Sequence, residues 1–183
     1  MDNLKSKTKE EQEKELAERA KLLIEHQEKQ YNAALSGIVG LENKAIKIFG
    51  ALNVIITVAL LIIRYWWDDI FPEHFSSLNY VCVTVLFAFF VFSFISWGFI
   101  FAAMQLNDRE RPSSSEEMVD FYMNRPRYNS LSSYSREYSR LTALLGDIHD
   151  EKARLINNCS ESMLYSAWAF VVFFIIVFIL KLT

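Results

Sequence analysis

The stretch "NRPRYNSLSSYSREYSR", Asn124 to Arg140, is the densest gathering of ligand-binding chemistry in the chain. Arg125, Arg127, Arg136 and Arg140 alternate with Tyr128, Tyr134 and Tyr138, and Phe121 and Tyr122 come just before. Guanidinium forks pair with phosphate oxygens, and aromatic faces stack on bases. The mixture suits a nucleotide or a short single-stranded oligonucleotide. Arg125, Arg127, Tyr128, Arg136 and Arg140 are the ligand-binding candidates. A plainer role competes for part of the set. Tyr134 and Tyr138 fall on an apolar stripe, and the arginines can pair with acids of the N-terminal segment.

Covalent and metal chemistry find little support. The chain has no G-x-S-x-G, H-E-x-x-H, glycine-rich phosphate loop or C-x-x-C. His26, His74 and His149 are scattered. Asp147, His149, Asp150 and Glu151 are close in sequence, but on a helix His149 is not expected to face Asp147 or Asp150. Cys82 and Cys159 have no partner at ligand spacing and read as packing residues. No enzyme, cofactor or metal site is expected.

The elements that must position these residues are set by three apolar blocks. Ile46–Trp67 contains sixteen uncharged residues from Ile48 to Ile63; Tyr80–Met104 has 25 residues without a charge, and Met163–Leu180 has 18. A helix of ~20 residues crosses a bilayer core of ~30 Å. Lys47 and Arg64 flank the first block and can carry their charges to the headgroups. A soluble bundle with three buried helices is the competing reading. The middle block is apolar on every face, and a domain of 183 residues has too little core to surround it. The lysine- and glutamate-rich start lacks the apolar core of a signal peptide.

Basic residues set the expected orientation. Residues 1–47 carry 9 Lys+Arg and Gln105–Ser162 carries 8, against one each in Arg64–Asn79 and the tail. The N-terminus and the long second loop are therefore expected on the cytoplasmic side, with the C-terminus outside. Lys44, Lys47, Arg109 and Arg111 form a basic collar at the inner face, where they would meet anionic headgroups. Trp66, Trp67 and Tyr80 make the outer aromatic belt, and Trp168 marks the inner one.

The charged segments read as helices continuous with the spans. Glu10–Lys14, Glu15–Arg19 and Glu25–Lys29 are favourable i,i+4 pairs. A stripe with steps of 3 or 4 runs through Leu16, Ala20, Leu23, Gln27, Tyr31, Ala34, Ile38, Leu41, Ala45, Ile48 and Leu52, with no proline before Pro72. This predicts one helix from about Lys9 to about Tyr65, with Gly37 and Gly40 allowing a bend or a close contact. A second stripe runs through Leu131, Tyr134, Tyr138, Leu141, Leu145, Ile148, Leu155 and Cys159, missing a member where Lys152 falls. The two segments are matched in length and are expected to lie antiparallel, burying their stripes. Between them, Ser114 and Glu117 fit a capping box opening a short helix, Glu116–Met123, that stops before Pro126.

The resulting divisions are 1–45 amphipathic helix, 46–67 first span, 68–79 outer loop, 80–104 second span, 105–162 helical insert and 163–181 third span. Apart from Lys47, Arg64 and Lys181 at the span ends, no Asp, Glu, Lys or Arg lies inside a span, which argues against ion- or proton-coupled transport. Weakly polar residues do lie there: Asn53, Thr57, Thr84, Ser93 and Ser96 are the pore-lining candidates. The competing role is hydrogen bonding between helices. Seven Phe between Phe87 and Phe101 could supply a dewetting constriction, and Gly98 with Ala102 a close helix contact. Three spans cannot enclose water alone, so a pore requires several subunits.

A charged helix leads through "LENKAIKIFGALNVIITVAL" into span one, and an insert leads through "EKARLINNCSESMLYSAWAFVVFFIIVFIL" into span three. This layout resembles small membrane effectors of bacterial anti-phage defence, such as those of Pycsar, CBASS and Hailong systems. The resemblance implies an inner-membrane protein that permeabilises the membrane in response to a nucleotide or oligonucleotide made by a nucleotidyltransferase or cyclase partner. The expectation is thus an all-α membrane protein with three transmembrane helices, a long cytoplasmic helical stalk and a homo-oligomeric state, with a tetramer foremost. The alternative is a non-conducting anchor or scaffold that recruits a cytoplasmic partner through the stalk. A simple holin fits less well, because the cytoplasmic part is larger than a lesion former needs.

Overall fold

The computed structural model describes residues 9–105, 111–112, 115–125 and 127–182. Arg109, Ser114 and Pro126, invoked above for the collar, the capping box and the helix stop, lie outside the described residues. Among the described residues the chain is all-helical: α1 (Lys9–Tyr65), α2 (Trp67–Ile70), α3 (Ser77–Met104), α4 (Glu116–Asn124) and α5 (Arg127–Leu182). The α1 limits agree with those expected from its charge pairs and unbroken stripe, and the chain stays helical through Ser36–Gly40. The α4 limits differ from expectation by one residue.

The fold divides into a charged unit, Met1–Val39 with Asn107–Asp150, and an apolar unit, Gly40–Leu106 with Glu151–Thr183. In the charged unit the two stripes meet. Tyr31, Ile38, Leu141 and Leu145 form its buried cluster, flanked by Ala34, Leu35, Tyr138 and Ile148. Gly37 faces α5 here: a Cβ on it would stand 3.4 Å from His149 Cδ2, an ordinary van der Waals contact. Toward the N-terminus of α1 the stripe loosens, with Leu16 and Leu23 exposed and Ala20 buried.

The helices of this unit pair in parallel, not antiparallel as the matched stripes suggested. Tyr31 meets Tyr138 with ring centroids 5.5 Å apart, and Gly37, further along α1, meets His149, further along α5. A stripe specifies a face and carries no direction. Direction follows from the chain path: α3 runs back along its neighbours, so the first and third apolar helices run the same way.

The apolar unit contains three helices long and apolar enough to cross a membrane. Ser93 pairs with Ser166 and Phe89 with Phe170, so α3 runs antiparallel to α5. One core cluster holds Ala59, Ile70, Cys82, Leu86, Phe89, Phe173, Ile176 and Val177, and another holds Ala45, Ile100, Ala103, Ile156 and Cys159. Both cysteines are free and buried in these clusters. Yet only 11 % of the apolar stretch of α1 is buried. Its apolar side chains mostly face outward, the pattern expected where lipid or further apolar surface replaces water.

The turn joining α1 to α3 contains α2, a four-residue helix the sequence reading did not foresee. Asn79 organises it. Its side chain and that of Ser76 form a reciprocal capping box at the start of α3. Its Nδ2 donates to the Asp69 carbonyl at 2.9 Å, tying α2 to the same point. The asparagine is 3 % exposed, so losing it would strand buried polar groups.

Candidate functional site

The arginine and tyrosine candidates occupy the C-cap of α4 and the first turns of α5. The Arg125 guanidinium lies 4.7 Å from the centre of the Phe121 ring, a cation–π contact. Arg127 lines a cleft with Glu10, Glu13, Lys14, Ala17, Glu18 and Lys21 of α1. Its nearest environment thus mixes three carboxylates with two lysines. Tyr128 is exposed. Arg136 and Arg140 are exposed one turn apart on α5, and Arg140 is 3.1 Å from Glu137. At ~100° per residue, Arg136 lies about half a turn round the helix from Arg127. The fold brings Arg136 and Arg140 together and puts Arg127 on another face.

Tyr134 and Tyr138 pack edge to face at 4.9 Å, and Tyr138 also meets Tyr31. They serve the core of the charged unit, as their stripe positions implied. Burial first, then the hydroxyl of Tyr134 beside it, pushes the Tyr138 phenol up to about 12. Nearby, Ser130 is buried and its Oγ has no hydrogen-bond partner. His149 Nδ1 does approach Asp150 Oδ1, at 3.4 Å, contrary to the helical-face expectation. Adjacent side chains on a helix can curl toward each other at its exposed edge. Among the described residues no three His, Cys, Asp or Glu side chains gather as a metal site.

The five polar candidates of the spans separate into two groups. Asn53, Thr57 and Thr84 are exposed. Thr57 donates to the Asn53 carbonyl and Thr84 to the Tyr80 carbonyl, both at 2.8 Å. Ser93 and Ser96 are fully buried. Ser93 Oγ is 2.7 Å from Ser166 Oγ, and Ser96 donates to the Phe92 carbonyl. The serines are engaged inside the chain. Among the five candidates, the exposed polar groups are Asn53, Thr57 and Thr84. Gly98 has nothing within 4 Å of a built Cβ, so its face of α3 is open in the single chain.

The most constrained polar group was not among the candidates. Lys152 is 3 % exposed. Its Nζ donates to the Ala103 carbonyl at 2.9 Å and the Gln105 carbonyl at 3.3 Å, and stands 3.2 Å from Glu42 Oε1. The carbonyls belong to the end of α3, where the last turn lacks intrahelical donors and the helix dipole is negative. One ammonium therefore caps α3 and pairs with α1 from α5. The gap in the α5 stripe at residue 152 was the signal: the position is interior, so its lysine needed partners there.

Searches of family models, curated proteins and solved structures found no match for this chain.

Proposed function

We propose that this protein is a homo-oligomeric effector of the bacterial inner membrane. Its spans assemble around a gated conducting path, and a nucleotide-type signal or partner protein acts on the charged unit from the cytoplasm. One observation carries the reading: Asn53 lies inside an apolar span and on the exposed side of α1, one turn from exposed Thr57. A carboxamide facing hydrocarbon is costly, and it is satisfied by a neighbouring helix or by water. Copies of the chain arranged with this face inward supply both. Thr57 already donates to the Asn53 carbonyl of its own helix, so the resulting wall is weakly polar, suited to gating by wetting and drying.

The layout resembling anti-phage membrane effectors supplies the setting: depolarisation of an infected cell. The exposed Arg136 and Arg140 pair offers a phosphate-binding face for the signal. The test is membrane potential in cells producing the protein. Wild type should depolarise them when produced strongly, and Asn53→Leu should reduce the effect at equal membrane abundance. Unchanged depolarisation by Asn53→Leu would remove this residue from the path.

The anchor reading has its own support. Leu22 and Leu23 are 65 % and 47 % exposed on the charged part of α1, apolar surface that a recruited partner would cover. It predicts cells that stay polarised and a partner that copurifies.

A further inference from the structure

We infer that Lys152 and Glu42, with the carbonyls of Ala103 in α3 and of its C-cap Gln105, form a latch that holds the conducting path shut. The inference rests on the pore reading above and names its regulation.

The geometry makes this contact a switch. Three oxygens from two helices converge on one ammonium supplied by the third, at 2.9, 3.3 and 3.2 Å. Lys152 is 3 % exposed, whereas the Glu42 side chain is 25 % exposed. The ammonium is thus dry on its own side, while its carboxylate partner reaches the surface. Displacing α1 or α5 by a fraction of a turn would break several of these bonds together, because all converge on one nitrogen. The charge then has no intermediate resting place. It is either held by the carbonyls and carboxylate or hydrated by entering water. Such a contact has two states and biases the packed helices toward the dry one.

Chain position gives the latch its reach. Glu42 and Lys152 stand just inside the apolar unit on α1 and α5, the two helices whose earlier residues belong to the charged unit. Glu42 is one turn before Ala45, which is fully buried beside Ile100, Ala103 and Cys159. Along α1, the exposed Asn53 and Thr57 follow. A shift of α1 that parts Glu42 from Lys152 therefore acts on the helix bearing the proposed wall.

The experiment is potassium efflux from liposomes containing purified full-length protein, without stimulus and with a cyclic nucleotide or a short single-stranded oligonucleotide. Lys152→Met, Glu42→Gln and their combination are compared with wild type at equal oligomer content by gel filtration. Each single variant should raise unstimulated efflux at least tenfold, and the combination should add little to Lys152→Met alone. Glu42→Gln keeps the lysine on its carbonyls, so it carries the test if Lys152→Met does not fold. Exchanging the charges, Glu42→Lys with Lys152→Glu, should leave the protein leaky, since a carboxylate at 152 would face the α3 carbonyls.

Leaky variants support the latch even if neither added compound opens wild type. Variants as tight as a wild type that responds to a stimulus overturn the latch and leave the pore reading standing. Silence of wild type and every folded variant overturns both.

Discussion

Arg136 and Arg140 on one part of α5 and Lys152 further along it carry the same charge in opposite settings. The arginines are exposed, one of them beside Glu137 and both open to solvent. The lysine is enclosed by two carbonyls and a carboxylate. An exposed guanidinium is hydrated whether or not a ligand arrives, so it can serve recognition at little cost to the fold. A buried ammonium is committed to its partners, and its loss is felt by every helix it touches. The density of charge in sequence points to the first region. The constraint on charge in the structure points to the second.

The largest effect should come from Lys152. Lys152→Ala takes the ammonium away from Glu42 and leaves two helix-end carbonyls uncapped, at a cost of about 3 kcal/mol, the low end for breaking a buried pair because Glu42 is partly exposed. Thermal unfolding of the detergent-purified protein should fall by several degrees. A melt unchanged from wild type would erase the distinction drawn here. Next comes the neutral counterpart within the spans. Ser93→Ala or Ser166→Ala should cost about 1 kcal/mol each, and the pair little more than either, since they share one hydrogen bond. Full additivity in the same melts would show that the hydroxyls act separately.

The charged unit has its own titration. Tyr138 stands at about 12 in the fold against an ordinary 10.0. Its raised folded value means that its contribution is complete below pH 10.0 and lost as the pH rises to about 12, where the folded phenol ionises too. Circular dichroism against pH should show helix loss across that window, and Tyr138→Phe should make the loss shallower. The smallest stability effect is expected from Arg136→Glu with Arg140→Glu, within about 0.5 kcal/mol of wild type. The same double variant should abolish response to a nucleotide signal. Retained response and retained partner binding would take these arginines out of recognition.

The extent of α1 was legible because its determinants are local: i,i+4 charge pairs, a 3/4 stripe and no proline. The helical character of α3 was equally plain from its uncharged length, but which of its polar residues face inward was not. An all-apolar helix has no periodicity to orient Ser93 and Ser96, and only the folded packing, which buries both and sets Ser93 against Ser166 of α5, settles it. The brief α2 depends on Asn79 reaching back to Asp69, a contact made by the folded turn. Lys152 was half legible. Its position marked it as interior, while the oxygens that receive it depend on where α3 ends. The direction of helix pairing was available from the chain path alone, and the matched stripes drew attention away from it.

The most direct test of conduction is ion flux through the purified protein in liposomes, with and without nucleotides and short oligonucleotides. The account predicts flux that requires the protein, responds to one of these compounds and falls in Asn53→Leu. No flux under any condition, from an oligomer shown to be intact and inserted, would contradict it and leave the spans as an anchor.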